Sequence, residues 1–310
     1  MGAQRLGQYG ASAKSAVSHL AKALGDEHWG VQSDAAEALK RIGPVGLPGL
    51  VKALGSRNPV VREKLCEVMA DKKFLAHLEP HSKKLTLVLK DKEPDVRRAG
   101  VKLFSAMGAY GIDALLLALG ASKPEARSAA TEALALAGTQ SIPRLCNAFK
   151  KARSAPVREG ICIAFGRMGK KATVAAPTLA AALQDKSVGV RAEAARAIGR
   201  TQASFEAAEA VLFARLGVES AREREGCVDG LAAYGADAAP GLVERLGADD
   251  PVVRTGSTEA LFRMGRPSMQ LLQDVLLDGT AKQRLAAIGL FVRFGGRASR
   301  RCWRIGASVV

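Results

Sequence analysis

An internal repeat of about thirty residues limits the possible folds of this chain more than any other property of its sequence. An arginine occupies the same position in most of the segments, and Gln32 takes that place in the first of them. The marker arginines are Arg62, Arg97, Arg127, Arg158, Arg191, Arg224, Arg254 and Arg284. Repeats of this length are typical of stacked supersecondary units, each of which buries its apolar face only against its neighbours.

Each repeat is predicted to form two helices. The residue seven positions after the marker is always apolar, and in most repeats a glycine stands eleven positions after it, where it can cap the second helix. These glycines are Gly43, Gly108, Gly138, Gly169, Gly235, Gly265 and Gly295. The second helix is expected to start near a proline, since proline suits the first helical turn. These prolines are Pro59, Pro94, Pro124, Pro156 and Pro251.

No segment alternates as a strand does, so the chain is predicted to be all-α. Gly100, Gly160, Gly226 and Gly256 lie early in second helices, where they are expected to let helices approach closely. The predicted arrangement is one repeat solenoid over 1–310, ending in a basic tail over 296–310. Its units are approximately 11–43, 44–73, 79–108, 111–138, 140–169, 172–202, 203–235, 236–265 and 267–295.

The units resemble HEAT repeats, in particular the short variety found in PBS-lyase-like proteins. Segments such as "EPDVRRAGVKLFSAMG" match its P-x-V-R-x-x-A pattern. The resemblance implies a right-handed α–α superhelix of about nine helix pairs. It also implies a ladder of hydrogen bonds between turn aspartates and marker arginines. The matching pairs here are Asp91 with Arg97, Asp185 with Arg191, and Asp278 with Arg284, and Asp26 precedes Gln32 by the same spacing.

Two places depart from the repeat pattern. An expansion at 73–78 is expected to loosen the third unit, and Gln202 replaces a glycine. The opening "QRLGQYG" looks like the end of another second helix. We therefore expect the ends of the array to be covered by partners, or the chain to be part of something larger.

Composition favours an anionic partner. Lys and Arg total 46 against 30 Asp and Glu, a formal net charge of +16. Such an excess is typical of proteins that bind nucleic acid, acidic proteins or acidic lipid surfaces. The cysteines Cys66, Cys146, Cys162, Cys227 and Cys302 are dispersed, which fits neither a disulfide framework nor a zinc site. An intracellular, reducing compartment is expected, and neither a membrane span nor a secretory signal is evident.

No catalytic constellation is predicted. His77 and His81 are four residues apart, but Pro80 interrupts any helix that would align them. The glycines follow the repeat and form no phosphate-binding loop. The expectation is therefore no catalytic residue, no metal, no cofactor and no small-molecule substrate.

The candidate binding residues are cations, together with one tryptophan. Nine positions after the marker, near the end of the second helix, a row is formed by Arg41, Arg167, Arg200, Arg263 and Arg293, and the following loops add Lys170, Lys171, Arg266 and Arg297. Four positions earlier the residues are mostly acidic (Glu37, Glu67, Glu132, Asp229 and Glu259), so this face is striped. Acids near helix starts and bases near helix ends also complement the helix dipole, an alternative explanation of the stripe.

Further clusters lie elsewhere in the chain. One comprises Lys83, Lys84, Lys90, Lys92, Arg98 and Lys102; a second, in an inter-helix turn, comprises Lys150, Lys151 and Arg153; the third, at the C-terminus, comprises Arg300, Arg301, Trp303 and Arg304. Asp91 and Arg97 themselves are expected to be ladder residues.

The predicted function is a non-catalytic scaffold or adaptor within a larger assembly, which binds RNA, a ribonucleoprotein or an acidic protein surface through basic turns and a basic rim. Two alternatives stay open. One is an enzyme-like accessory similar to the bilin lyases, and the other is a tubulin-binding array similar to TOG domains, suggested by Trp29 in the first turn and basic later turns.

Overall fold

The computed structural model describes residue 5 and residues 7–297, and over these residues the chain contains helices and no strand. The α-helices pair as predicted, into nine consecutive pairs within the described residues, with one short additional helix, α5. Their bounds are α1 Val17–Ala23, α2 Trp29–Ile42, α3 Leu47–Ala53, α4 Pro59–Met69, α5 Lys72–Leu75, α6 Ser82–Leu89, α7 Pro94–Met107, α8 Ile112–Leu119, α9 Pro124–Leu136, α10 Ile142–Lys151, α11 Ala155–Met168, α12 Ala176–Ala182, α13 Val188–Thr201, α14 Phe205–Ala214, α15 Ala221–Tyr234, α16 Ala239–Glu244, α17 Pro251–Met264, α18 Arg266–Asp278 and α19 Ala281–Arg297.

Packing divides the chain into two compact units. The N-terminal unit is Met1–Ala164 and the C-terminal unit is Phe165–Val310, with the boundary inside α11. Each unit is a stack of helix pairs in which the second helices of consecutive pairs pack side by side, as α4 does with α7, α7 with α9, α13 with α15 and α15 with α17. The fold is therefore an all-α, HEAT-type solenoid arrangement.

The helix ends follow the predicted start and stop residues. Pro59, Pro94, Pro124 and Pro251 are the first residues of their helices, and Pro156 is the second residue of α11. The predicted cap glycines adopt positive φ, from +53° at Gly108 to +85° at Gly138. One cap prediction is wrong, because Gly295 lies inside α19 and the helix runs on to Arg297.

Gln202, which replaces a cap glycine, adopts the positive φ that the cap glycines of other repeats have. It has φ +51°, which L-residues other than Asn and Asp rarely adopt. Its side-chain amide donates to the carbonyl oxygens of Gly199 and Ala233, both at 2.7 Å. These hydrogen bonds hold a left-handed cap where six other repeats use glycine.

The core follows the repeat register. The apolar residue seven positions after the marker is buried in eight repeats: Leu39, Met69, Phe104, Leu134, Phe165, Ile198, Leu231 and Leu261. In the last repeat Phe291 is only half-buried. In every repeat except the last, this position therefore places one apolar side chain in the core of its unit.

The expansion at 73–78 is not loose, contrary to expectation. Asp71 caps the short helix α5 by accepting a hydrogen bond from the Lys73 amide. Phe74 and Leu78 are fully buried. The additional residues therefore add two large apolar side chains to the core of the N-terminal unit.

The first described residues pack as the end of a second helix does. A Cβ on Gly7 would lie 3.1 Å from the Cα of Ala38, and a Cβ on Gly166 would lie 3.2 Å from the Cα of Ala197. Gly10 has φ +52°, like the cap glycines that end other second helices. This agrees with the predicted likeness of "QRLGQYG" to such a helix end.

One segment, Pro94–Leu119, is long and apolar enough in composition to cross a membrane. It contains α7, a 3-10 turn at Gly108–Gly111 and α8, so the α-helix is interrupted at Gly108. Half of its most apolar window is buried in the fold. The apolar character therefore belongs to core-facing sides of two separate helices.

Candidate functional site: the turns and the helix-end rim

Each marker side chain fastens the turn that precedes it. Arg97 NH1 donates to the carbonyl oxygens of Asp91 and Lys92, at 2.7 and 2.9 Å. The same pair of acceptors, six and five residues back, serves Arg62, Arg127, Arg158, Arg191, Arg224 and Arg254. Gln32 reaches the first of these carbonyls, and Arg284 the second. The marker of each repeat is therefore tied to main-chain carbonyls of the turn between its two helices.

The ladder along the stack is present in part. Arg62 donates through Nε and NH2 to both carboxylate oxygens of Asp91, at 2.6 and 2.8 Å. Burial would raise the pKa of Asp91, but the hydrogen bonds from Arg62 and from the Glu93 amide outweigh burial and hold that pKa below its usual value. Asp91 is thus a ladder residue, as predicted, and its partner is the marker of the preceding repeat.

Arg97 is not a ladder residue in that sense, and the expectation is corrected. Within the part of the chain that the structure describes, neither Arg97 nor Arg127 has an acidic partner. The sequence explains this difference, because the residues corresponding to Asp91 in the next two turns are Ala121 and Ala152.

In the C-terminal unit, a buried glutamate binds the marker Arg191 in the way that Asp91 binds Arg62. Glu223 is buried and accepts from Nε and NH2 of Arg191, at 2.9 and 2.6 Å, and from Arg215. Burial alone would raise the pKa of Glu223, but these two arginines hold it below its usual range. Glu223 precedes its marker by one residue, so the sequence repeat gave no warning of this contact.

The predicted stripe of acids and bases exists in the C-terminal unit, where its members pair across helices. Arg263 donates to Glu225 at 2.7 Å, to Glu259 at 3.0 Å and to Asp229. Burial would lower the pKa of Arg263, but these three carboxylates raise it above its usual value. Arg293 pairs with Glu259 at 2.8 Å. These two candidate cations are therefore engaged in holding neighbouring helices together.

Four of the rim cations lie at the neighbouring ends of α11 and α13. Arg200 ends α13 beside the end of α11, and its Cδ would lie 3.7 Å from a Cβ on Gly166. Thr173 donates to the carbonyl oxygen of Thr201 at 2.7 Å and fixes the loop there. We call the exposed set Arg167, Lys170, Lys171 and Arg200 the Arg200 rim; among the described residues, none of these side chains contacts a carboxylate.

The remaining rim candidates differ in their surroundings. Arg41 pairs with Glu37 on its own helix at 3.1 Å, with about half of each side chain exposed. Arg266 is exposed at the start of α18. Arg297 ends α19, and its side chain lies outside the described residues, as do Arg300, Arg301, Trp303 and Arg304 entirely.

The cluster predicted around residues 83–102 is divided by the fold. Lys83 and Lys84 lie in the first turn of α6, whereas Lys90 follows its last residue, about 10 Å farther along the helix axis. Lys92 lies 3.8 Å from Glu93, Arg98 pairs with Asp95, and Lys102 is exposed midway along α7. Only Lys90 and Lys92 of this set belong to the inter-helix turn.

The turns of the N-terminal unit are rich in exposed cations. Lys90 and Lys92 occupy the third turn, Lys123 the fourth and Arg153 the fifth. Lys150 and Lys151, predicted to lie in the fifth turn, instead form the exposed end of α10 that leads into it. Trp29, in the first turn, exposes 79% of its surface. We call this edge of the N-terminal unit the turn edge.

Over residues 5 and 7–297, no group of three or more His, Cys, Asp or Glu side chains is placed to hold a metal ion. Burial raises the pKa of the Cys66 and Cys227 thiols to about 12. Thiols in such surroundings are unreactive core residues.

The family profile for HEAT repeats matches residues 82–166 and 142–232. The chain is a HEAT-repeat protein. Comparison with curated protein sequences gives no significant match.

Several solved structures are similar to this HEAT-repeat protein in fold. An engineered protein is 19% identical, with 94% of each chain covered and a TM-score of 0.37. Kap95p, in a structure with RanGDP, is 15% identical, with 94% of this chain and 48% of Kap95p covered and a TM-score of 0.48. The CpcE–CpcF phycocyanin lyase of Nostoc sp. is 18% identical, with 79% and 93% covered and a TM-score of 0.37. The chain spans about half the length of Kap95p.

Proposed function

We propose that this HEAT-repeat protein is a non-catalytic scaffold that binds an anionic macromolecular partner. The observation that carries the proposal is the Arg200 rim. Four cations lie there at the neighbouring ends of α11 and α13, and among the described residues none contacts a carboxylate, while Arg263 and Arg293, at the same repeat position as Arg167 and Arg200, pair with carboxylates.

The helix-dipole explanation does not account for the Arg200 rim. One cation at a helix end complements the dipole, but Lys170 and Lys171 lie beyond the end of α11, in the 3-10 segment Gly169–Ala175. Like charges held close together destabilise the free protein, and an anionic partner removes that repulsion. The net charge of +16 favours the same kind of partner.

The test uses the triple variant Arg167→Gln, Lys170→Gln and Lys171→Gln in the full chain. Its matched control, Lys14→Gln, Lys72→Gln and Lys73→Gln, removes the same charge from exposed lysines elsewhere. The probes are a labelled single-stranded RNA and a labelled polyglutamate, each titrated at several salt concentrations. The rim variant is expected to bind at least one probe about tenfold more weakly than the control and with a shallower dependence on salt. Equal affinities and equal salt slopes for the two variants would reject the proposal.

A further inference from the structure

Arg62 and Asp91 show how a marker arginine receives a carboxylate. NH1 of Arg62 is fixed by the carbonyl oxygens of Ser56 and Arg57, at 2.8 and 3.2 Å. The other edge of the guanidinium, Nε and NH2, then binds both oxygens of Asp91. Only about a tenth of either side chain is exposed, so the pair fills a slot between two neighbouring turns.

Arg97 and Arg127 are held in the same way but their slots lack a carboxylate. NH1 of Arg127 is fixed by the carbonyl oxygens of Ala121 and Ser122, both at 2.8 Å, and Arg97 is fixed equally well. Over the described residues, the Nε and NH2 edge of each guanidinium has no protein acceptor. Both arginines are half-buried, so part of each residue reaches the surface.

The open slots are adjacent, and alanine is the cause of both. Ala121 stands where an aspartate would pair with Arg97, and Ala152 stands where one would pair with Arg127. Their helices, α7 and α9, pack side by side within the N-terminal unit. The missing side chains leave space for a carboxylate from another molecule.

The surroundings favour an anion. Lys90, Lys92, Lys123, Lys150 and Lys151 are exposed in or next to the same turns. Of the neighbouring acids, Asp91 is already bound by Arg62, Asp95 pairs with Arg98, and Glu93 lies 3.8 Å from Lys92. Glu125 is exposed at the start of α9, so the lysines outnumber the acids that remain. A carboxylate that enters either slot therefore meets a fixed donor pair in a positive field, the arrangement that gives strong bidentate pairing.

We propose that Arg97 and Arg127 bind two carboxylates of an acidic protein segment, in the manner in which Arg62 binds Asp91. Packed helices are about 8–10 Å apart, which sets the distance between the slots. A segment in the polyproline II conformation places residues i and i+3 on one side, about 9 Å apart. The expected ligand therefore carries Asp or Glu at every third position.

The geometry favours this ligand over RNA. The Arg62 slot is shaped for a planar group with two oxygens, and Asp91 fills it to near burial. Single-stranded RNA gains its affinity from base stacking on aromatic side chains as well as from charge. The exposed residues named in the third to fifth turns are lysines and arginines, with no aromatic ring among them. This inference rests on the proposed function and names the partner class, at a surface separate from the Arg200 rim.

The decisive variant supplies the missing carboxylates from the chain itself. Ala121→Asp and Ala152→Asp together are expected to occupy the slots of Arg97 and Arg127 as Asp91 occupies that of Arg62, and so to leave the fold intact. The control Ser12→Asp and Ser33→Asp adds the same charge at exposed positions of the first repeat. The probe is a labelled twelve-residue, proline-rich peptide with Glu at every third position, compared with a peptide of equal charge with Glu at every second position and with a single-stranded RNA.

Fluorescence anisotropy on the full chain should show that the i, i+3 peptide binds wild type and the Ser12→Asp/Ser33→Asp control with equal affinity. It should bind the Ala121→Asp/Ala152→Asp variant about tenfold more weakly. The peptide with the other spacing should bind wild type more weakly than the i, i+3 peptide. Three results would overturn the inference. The peptide could bind all three proteins equally, it could fail to bind wild type, or the Ala121→Asp/Ala152→Asp variant could weaken RNA binding more than peptide binding.

A second variant guards against misfolding. Arg97→Gln with Arg127→Gln keeps a side-chain bond to the turn, as Gln32 does, while it removes the guanidinium edge. It should weaken peptide binding as much as the Ala121→Asp/Ala152→Asp variant does. If the slot variants bind like wild type and the Arg200 rim variant is weakened, this inference fails and the proposed function stands. If only the slot variants are weakened, the rim assignment fails and this inference stands.

Discussion

In the C-terminal unit, two contacts between the second helices of consecutive repeats are made in opposite ways. Between α13 and α15 the contact is backbone to backbone. A Cβ on Gly230 would overlap the carbonyl oxygen of Ala195, and a Cβ on Gly226 would lie 2.7 Å from the Cα of Ala192. At these two glycines an added side chain would meet main chain, which cannot move aside unless the helices separate.

Between α17 and α19 the contact consists of rings and charges. Phe262 stacks on Phe294 with ring centroids 5.2 Å apart, and the guanidinium carbon of Arg293 lies 3.9 Å from the centroid of the Phe262 ring. Arg293 also pairs with Glu259. Such side chains can change rotamer, so this contact should tolerate substitution better than the first.

The largest expected effect is that of Gly230→Ala. The added methyl group meets main chain, so α13 and α15 must separate, and the free energy of unfolding should fall by about 3 kcal/mol. Urea denaturation followed by circular dichroism measures this loss. The control is Gly256→Ala in α17, where a Cβ would meet only the flexible end of Leu216, at 3.2 Å. Here the higher helix propensity of alanine, worth about 1 kcal/mol, offsets the crowding. Equal losses for the two variants would contradict the comparison.

The next effect concerns the charged end of the α13–α15 contact, where Glu223 bridges the helices through Arg191. Because the pKa of Glu223 is lowered in the folded state, its stabilisation is present above its unfolded pKa of about 4.3 and is lost as pH falls through the folded value. Glu223→Gln should therefore lower the free energy of unfolding by about 2 kcal/mol at pH 7. The difference from wild type should therefore start to shrink as the pH falls below about 4.3 and disappear below the folded pKa.

Denaturation at pH 7 and at pH 3 checks the sign of this dependence. Glu206→Gln removes an exposed carboxylate of α14 and serves as the control. A deficit of the same size at both pH values would show that the carboxylate charge is not the stabilising element.

Much of the fold could be predicted from the sequence because the repeat fixes backbone geometry. The cap glycines and the starting prolines act locally, so their spacing predicts where helices end and begin. The close approach expected at Gly100, Gly160 and Gly226 is confirmed, since a Cβ would lie 2.5 Å from Val88, 2.6 Å from Leu119 and 2.7 Å from Ala192. The burial of Phe74 was not predictable from the repeat, since the expansion around it has no counterpart in other units.

The candidate site was less predictable because charge pairing depends on neighbouring repeats. Arg200 and Arg263 hold the same repeat position, yet only Arg263 is paired. The difference lies four residues earlier. Glu259 precedes Arg263, whereas Arg196 precedes Arg200, and it is Arg196 that pairs with Asp229 at 2.8 Å. Aligning each cation with the acids of its own and adjacent repeats would have separated the two cases.

The smallest expected effect tests whether the α17–α19 contact is adaptable, as the comparison requires. Phe262→Leu removes the ring stack and the cation–π contact but keeps an apolar side chain, so the free energy of unfolding should fall by only about 1 kcal/mol. A double-mutant cycle with Phe294→Leu separates the pairwise stacking from general loss of volume. The coupling energy should be about 0.5–1.5 kcal/mol, since each ring is the other's partner. A loss as large as that of Gly230→Ala would show that the rings are packed as rigidly as the glycines. A coupling energy of zero would show that the rings do not interact. Either result contradicts the contrast between the two contacts.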